Sequence, residues 1–471
     1  MEIEMLLATE DTEGSEKFRS LHAMERSRFP LCDLCVLCGK WIWLLLLFLA
    51  LPAQAGVQIQ SWQTAAGARV LFVENHELPI LDVSVDFPAG SSADTQQKSG
   101  LASMTRHLLG LGAEGMGEDA ISRAFADVGA VFGGHFDSDR TGLALRTLSS
   151  DRERKQAIDT FNRVLQKPTF PEAVLEREKA RTIAAIRESD AKPESRADRA
   201  FDRLLYGSHP YGLRESGEPD TVAALQRQDL VEFYRRHYAR SRAVVAIMGD
   251  ASRAQAEALA EELTRELPEG GPATELPPVP LPAQAQTERI PHPASQAHIL
   301  VGYPGLKRVD PDYFPLWVGN YVLGGGGFVS RLVEEVRQKR GLAYSVYSYF
   351  MPLREPGPFQ VGLQTKKEQA GEALDVVRVT LAEFIAKGPS EKELQAAKDN
   401  IIGGFPLRID SNRKIHEYLS LIGFYGLPLT YLDDFPKNVE KVTAAQVRDA
   451  FKRRIDPERL VTVVVGPGET K

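Results

Sequence analysis

The sequence predicts an α+β protein of two homologous domains joined by a proline- and glycine-rich linker. Three observations lead to this fold class. The 471 residues exceed what one ordinary hydrophobic core organises. One pattern of helix and strand occurs twice, and the stretch between the copies has no hydrophobic periodicity. We therefore divide the chain into an N-terminal extension with a signal peptide (1–55), a first domain (56–267), the linker (268–292) and a second domain (293–471).

The internal repeat is clearest at the end of each half. Residues 229–249 and 446–466 align without a gap at an offset of 217, so that Tyr234 falls on Phe451. In both copies a helical spacing of apolar residues precedes a run rich in β-branched residues, which is typical of an amphipathic helix followed by a buried strand. Other pairs keep nearly the same offset, and chance hardly supplies four matches in register. Each half is therefore expected to mix strands and helices.

The linker is recognisable by composition. Residues 268–282 are rich in proline and glycine and carry no regular apolar spacing. Because prolines stiffen an extended chain, we expect this stretch to cross the surface as a strap that limits the angle between the domains.

Composition and charge exclude several classes of function. With 43% hydrophobic and 26% charged residues, the chain has the composition of a soluble globular protein. Its net charge of -7 argues against nucleic acid as the main partner. The three cysteines, Cys32, Cys35 and Cys38, are spaced like metal ligands but precede a segment that we expect to be removed. After residue 55 no cysteine remains, so neither a disulfide nor a thiol nucleophile is available.

A leader precedes the first domain. Residues 41–51 form a short, wholly apolar run, and the following Pro52-Ala-Gln-Ala55 ends in an A-x-A cleavage signal. This pattern predicts an exported protein whose mature chain starts at Gly56, and a periplasmic one if the source is a Gram-negative bacterium. Acidic residues crowd the first 23 positions, so Met24 fits better as the true start. The alternative is an uncleaved membrane anchor, for which the apolar run is short.

One predicted helix has the spacing of a metal site without its ligands. In residues 100–110 the apolar spacing places Ser103 and His107 on one face, with Arg106 beside His107. A zinc helix of the H-x-x-E-H type has two histidines at this spacing and a glutamate that activates water. Here the five positions read S-M-T-R-H, so a single ligand-type residue remains.

Three stretches together resemble the pitrilysin/insulinase family of zinc peptidases, which includes the mitochondrial processing peptidase subunits. Residues 100–109 stand where the family has G-L-A-H-x-x-E-H-x-L, and residues 175–187 resemble the downstream helix that supplies the third zinc ligand. Residues 323–346 resemble the second-domain signature L-G-G-G-x-x-S-R-L-x-x-x-V-R-x-K-x-G-L-A-Y. The resemblance covers essentially the whole mature chain. It implies a mitochondrial-processing-peptidase-like fold whose two domains form a clamshell-like unit.

The same resemblance implies that the zinc site is lost. The two zinc histidines correspond to Ser103 and His107. The water-activating glutamate corresponds to Arg106, and the zinc glutamate to Ala185, seven residues after Glu178. A catalytic zinc site needs three protein ligands, and a guanidinium would repel the ion. We therefore expect no metal or cofactor in this chain, a local hydrogen bond or packing contact for His107, and zinc in a partner subunit.

The second-domain signature retains Arg337 and Tyr344. In the family the equivalent residues face the zinc site across the chamber, where the arginine positions the substrate backbone and the tyrosine stabilises the developing oxyanion. Both side chains can donate hydrogen bonds to a carbonyl oxygen. We therefore predict that the two residues bind substrate. The alternative is an arginine that caps a helix end and a tyrosine in the core of a strand.

These expectations describe a non-catalytic subunit. Within the family such chains pair with a zinc-bearing homologue, and the second domain of one partner completes the substrate chamber of the other. We expect this chain to hold an extended peptide by strand addition and to contribute Arg337 and Tyr344 to the pair. One alternative is a peptide-binding or scaffold protein without a peptidase partner. The other, a self-sufficient peptidase with unusual ligands, is disfavoured by the residues at the zinc positions.

Overall fold

The computed structural model describes residues 56–273 and 275–466. The predicted N-terminal extension, its cysteines and the cleavage at Ala55 lie outside the described residues. In the described part of the chain, none of the helices combines the length and apolar character needed to cross a bilayer.

The first half of the described chain contains eight strands and eight α-helices. In chain order they are β1 (Gln60–Gln63), β2 (Arg69–Glu74), β3 (Ile80–Phe87), α1 (Leu101–Leu109), β4 (Gly112–Ala113), β5 (Met116–Gly117), α2 (Glu118–Ala126), β6 (Val131–Phe136), β7 (Thr141–Leu148), α3 (Asp151–Gln166), α4 (Glu172–Ser189), α5 (Pro193–Tyr206), α6 (Pro219–Ala224), α7 (Arg227–His237), β8 (Val244–Gly249) and α8 (Arg253–Thr264).

The second half, as far as it is described, contains five strands and six α-helices. They are β9 (Gln286–Pro291), β10 (Gln296–Pro304), α9 (Tyr313–Asn320), β11 (Ala343–Phe350), β12 (Pro358–Lys366), α10 (Ala370–Lys387), α11 (Glu391–Gly404), α12 (Asn412–Tyr425), α13 (Tyr431–Glu440), α14 (Ala444–Arg454) and β13 (Val461–Gly466). Between α9 and β11 lie two π-helical turns, Tyr321–Gly325 and Val333–Gln338, separated by a short turn at Gly327–Val329.

Each half builds one mixed sheet. The first sheet has the order β1-β2-β8-β3-β7-β6 and the second the order β11-β12-β10-β13-β9. Neighbouring strands are antiparallel except for two parallel pairs, β2 with β8 and β9 with β13. This arrangement confirms the predicted α+β class.

The two halves repeat one another in three dimensions. The offset of 217 residues carries α7 onto α14 and β8 onto β13, as the sequence repeat predicts. The same correspondence places β3 and β10 beside β8 and β13, and it makes β6 and β11 the edge strands of their sheets. The sheets are therefore two copies of one plan.

The halves exchange a helix. Helix α5, from the first half, packs Phe201 and Leu205 against Val461, Val463 and Val465 of the second sheet. Reciprocally, α12 packs side chains such as Leu419 against alternate residues of β2 and β8 in the first sheet. The remaining side chains of β8 face the helices of their own half. Both central strands are thus covered on two faces, which explains their uninterrupted apolar sequences.

Two glycines allow the exchanged helices to approach the sheets closely. A Cβ atom at Gly423 in α12 would lie 2.4 Å from Cγ1 of Val244, and one at Gly302 in β10 would lie 2.5 Å from Cζ of Phe201. Any larger residue at these positions would force the helix away from its sheet.

The segment between the halves differs from the prediction at its end. Residues 268–285, apart from Thr274, are described as irregular chain. The last part of the predicted linker, Gln286–Pro291, is instead strand β9, which pairs with β13. The exposed and half-buried residues alternate along this edge strand, a pattern that proline-rich composition nearby obscured in the sequence.

Candidate functional site

Helices α1 and α4 bring together three of the residues that the family resemblance assigned to the lost zinc site. Ser103, His107 and Ala185 line one cavity of about 430 Å³. Helix α1 starts at Gly100, whose φ of 92° requires a glycine, and the Asp94 carboxylate accepts hydrogen bonds of 2.8 Å from the amides of Gly100 and Ala102. These hydrogen bonds fix the N-terminus of α1. Ala185 of α4 lines the same cavity as His107 of α1.

The residues around this cavity do not fit zinc. The three positions carry a hydroxyl, an imidazole and a methyl group, whereas a catalytic zinc ion needs three strong ligands. Among residues 56–273 and 275–466, no group of three histidine, cysteine, aspartate or glutamate side chains could hold a metal ion. Glu188, the nearest carboxylate in sequence, forms an ion pair with Lys192 at 3.2 Å. We derive no chemistry through a metal at this position.

His107 contacts a carboxylate that the sequence did not assign to it. Its Nε2 lies 3.0 Å from Oε2 of Glu178, a buried residue one helix away. Arg177 and Arg181 donate to Oε1 of the same carboxylate at 2.6 and 2.8 Å. Burial raises the pKa of Glu178, but the hydrogen bonds from His107 and Arg177 outweigh it, and the net shift is downward. His107 is thus held in place by an ionised carboxylate, as a structural histidine would be.

Arg106 points away from the cavity. Its Nε donates to the carbonyl oxygen of Gly142 and its Nη2 to that of Gly133, both at 2.9 Å. A Cβ atom at Gly134 would lie 2.5 Å from this Nη2, so the glycine is needed for the approach. Burial lowers the pKa of Arg106. The predicted repulsion of a metal ion is therefore not the main role of this side chain, which instead braces α1 against β6 and β7.

Two local irregularities determine where Arg337 and Tyr344 lie. Arg337 is half-buried in the second π-helical turn, which ends at Gln338, and Gly341, with a φ of 61°, lies between that turn and β11. The pairing of β11 with β12 shifts between Ala343 and Ser345, which leaves Tyr344 in a β-bulge. The Tyr344 side chain is 82% exposed, so it does not lie in the core of the strand. The Arg337 guanidinium carbon lies 5.0 Å from the centre of the Tyr344 ring.

Arg337 differs from the basic residues around it. Arg331 pairs with Glu393 at 2.6 Å, and Lys339 and Arg340 pair with Glu335 at 2.6 and 2.7 Å. Within the described chain, Arg337 forms neither an ion pair nor a side-chain hydrogen bond. Its donors are therefore available to a ligand, unlike those of a helix cap. The cavity lined by His107 includes neither Arg337 nor Tyr344, so the structure does not unite the two groups of predicted residues into one pocket.

His135 belongs to strand β6 and not to a metal site. Its Nε2 lies 3.1 Å from Oδ1 of Asp86, which is fully buried on β3. Burial raises the pKa of Asp86 to about 6, although Arg140 opposes the shift. Burial, with Arg140 and Arg106 nearby, holds the pKa of His135 well below its ordinary value. The sequence analysis did not foresee this cluster, whose signal is the unusual alternation of Asp82, Ser84 and Asp86 along a buried strand.

Comparisons with known proteins agree with the fold. Residues 69–214 match the family model described as insulinase (peptidase family M16), and residues 224–401 match the model described as peptidase M16 inactive domain. A crystal structure of a peptidase M16 inactive domain from Pseudomonas fluorescens is 38% identical, covers 87% of this chain and 98% of its own, and superposes with a TM-score of 0.84.

More distant relatives carry differing descriptions. A protein from Helicobacter pylori described as non-peptidase homolog YmxG is 26% identical over 90% of this chain and 98% of its own. The mitochondrial-processing peptidase subunit beta of Blastocladiella emersonii is 23% identical over 86% of this chain and 87% of its own. The relatives thus include one described as lacking peptidase activity and one described as a peptidase subunit.

Proposed function

Since the chain belongs to the insulinase (M16) family of peptidases, as an inactive homologue, we propose that it acts as an exported, non-catalytic subunit. In this role it binds a peptide substrate and completes the active chamber of a zinc-bearing homologue, which hydrolyses the peptide bond. The chain itself carries no zinc in this proposal.

One contrast between the two predicted groups of residues carries the proposal. The metal position lacks two of the three family ligands, since Ser103 and Ala185 stand in their places. Arg106 donates a hydrogen bond to the carbonyl oxygen of Gly142 and does not face the cavity. Arg337, which is half-buried, and the exposed Tyr344 are both present and adjacent, and neither side chain donates a hydrogen bond to a protein group in the described chain. This pair beside a lost metal position fits a chain that contacts peptide without cleaving it.

Strand addition is the mode by which we propose that the chain holds its peptide. Strand β6 ends the first sheet and pairs only with β7 among the described strands. A peptide that pairs with such an edge gains main-chain hydrogen bonds whatever its sequence. Arg106 donates to the carbonyl oxygen of Gly133 in this strand and so fixes the edge from the side of α1.

The proposal of export rests on the predicted leader, the apolar run of residues 41–51 and the A-x-A signal ending at Ala55. If the source is a Gram-negative bacterium, the chain and its zinc-bearing partner would meet in the periplasm. An intact H-x-x-E-H reading frame beside the gene for this chain would support such a pair.

The proposal is tested by mixing. The full chain and the zinc-bearing homologue of the same genome are purified separately, and peptide cleavage is measured for each alone and for the mixture. We expect chelator-sensitive cleavage only when both are present. The double substitution Arg337→Ala and Tyr344→Phe should leave complex formation intact and lower turnover at least tenfold. Unchanged turnover would favour a peptide-binding scaffold instead.

A further inference from the structure

The Arg337 guanidinium contacts a second aromatic ring besides Tyr344. Its central carbon lies 4.8 Å from the centre of the Phe328 ring and 5.0 Å from that of Tyr344. A cation over an aromatic face is attracted by the ring quadrupole, and guanidinium planes stack well on such faces. Two rings therefore act on a cation that has no carboxylate partner in the described chain.

Phe328 is exposed although it is large and apolar. The side chain is 66% accessible, and its neighbour Val329 is 76% accessible. The Arg337 guanidinium, 4.8 Å from the ring centre, gives this exposed ring a polar partner.

The turn that carries Phe328 is held in place by hydrogen bonds. The buried Ser330 donates to the carbonyl oxygen of Gly327 through its hydroxyl, at 2.7 Å. Gln338, which follows Arg337 in the π-helical turn, donates to the carbonyl oxygen of Phe328 at 3.1 Å. Gly327 itself has a φ of 61°, which favours glycine. The backbone of the turn is thus tied to the element that carries Arg337, so the ring has a defined place beside the guanidinium.

From these contacts we infer that Phe328 is a positioning residue for Arg337. Its ring and that of Tyr344 hold the guanidinium by its faces, so the N–H donors at the edge point outward to the carbonyl oxygens of a bound peptide. No carboxylate in the described chain pairs with Arg337, so the two rings are the side-chain groups that orient it. The inference rests on the proposed function, since the peptide is the ligand toward which Arg337 is aligned.

Loss of the Phe328 ring should weaken peptide binding without slowing the chemical step. Without Phe328, Arg337 keeps its charge and its place in the chain but loses one of the two faces that orient it. Exposed cation–π contacts of this kind change an equilibrium by about two- to fivefold. We expect Phe328→Ala and Phe328→Leu to raise the KM for peptide by about that factor with kcat nearly unchanged. Phe328→Trp should retain the wild-type KM because it keeps an aromatic face.

The test uses the reconstituted pair with fluorescein-labelled oxidised insulin B chain as the peptide. Val329→Ala is the matched control, because Val329 lies in the same turn, is also exposed and has no aromatic face to offer the guanidinium. A second readout needs no partner: in the full chain labelled with [15N]arginine, the side-chain N–H resonance of Arg337 should move toward its solvent value in Phe328→Leu but not in Val329→Ala.

The outcomes separate the two proposals. A raised KM and a shifted Arg337 resonance in Phe328→Leu, with wild-type behaviour in Phe328→Trp and Val329→Ala, would support the positioning role. Wild-type KM and resonance in Phe328→Leu would overturn it, while a loss of turnover in Arg337→Ala would leave the proposed function standing. If Arg337→Ala and Tyr344→Phe also had no effect, the proposed function would fall, and this inference with it.

Discussion

The exchange of helices between the halves makes a strong prediction about where the fold is weakened by mutation. Phe201 is fully buried, but its ring packs on the second sheet although its helix belongs to the first half. Truncation of a buried phenylalanine to alanine costs about 3–5 kcal/mol, and 3 kcal/mol corresponds to roughly a hundredfold change in an opening equilibrium. We therefore expect Phe201→Ala to accelerate amide hydrogen exchange by that order in β10 and β13.

A matched control distinguishes this effect from general destabilisation. Phe161 on α3 is also fully buried, and it packs within the core of its own half. Phe161→Ala should therefore accelerate exchange in the first sheet, and Phe201→Ala mainly in the second. Hydrogen exchange followed by mass spectrometry resolves the two sheets. The reasoning is refuted if Phe201→Ala accelerates exchange in β3 and β8 and leaves β10 and β13 as protected as in the wild type.

Three further predictions concern the cavity between α1 and α4, the side chain of Arg106, and the buried Asp86 on β3. The double substitution Ser103→His and Ala185→Glu should restore stoichiometric zinc binding, measured by metal analysis after dialysis, because it completes three ligands with His107; Ser103→His alone should not. Arg106→Ala should lower the free energy of unfolding in urea by about 1–3 kcal/mol, because two carbonyl oxygens lose a buried charged donor. A loss below about 0.5 kcal/mol would contradict the bracing role. Burial raises the pKa of Asp86 to about 6 from its ordinary 3.8, so its contribution to stability is present below pH 3.8 and is lost as the pH rises through 6. The free energy of unfolding of Asp86→Asn, relative to that of the wild type, should therefore rise between pH 4 and 7. Chemical denaturation at each pH measures this difference, and a difference that does not change with pH would refute the assignment.

The sequence was sufficient for the fold class. The repeat predicted two copies of one plan because the apolar spacing of α7 and the β-branched run of β8 recur in α14 and β13. It could not predict the exchange of α5 and α12. The periodicity of an amphipathic helix shows that one face is buried but not which sheet that face meets.

The candidate site, like the fold, was predictable from the sequence only in part. Spacing along α1 was enough to place Ser103 and His107 on one face of a regular helix, whereas Ala185 was matched to them only through the family resemblance. The contact of His107 with Glu178 depends on how two helices cross, and that of Phe328 with Arg337 on a π-helical turn that no simple spacing describes. Long-range contacts and irregular backbone are therefore what the sequence left open.

Metal content and peptidase activity of the purified chain and of its complex decide whether the chain is a non-catalytic subunit. We expect the full chain alone to contain no stoichiometric zinc and to cleave no peptide. We also expect the complex with the zinc-bearing homologue to contain one zinc ion, held by the homologue, and to cleave peptide in a manner that depends on Arg337 and Tyr344. Stoichiometric zinc in the chain alone, together with chelator-sensitive peptide cleavage, would contradict it.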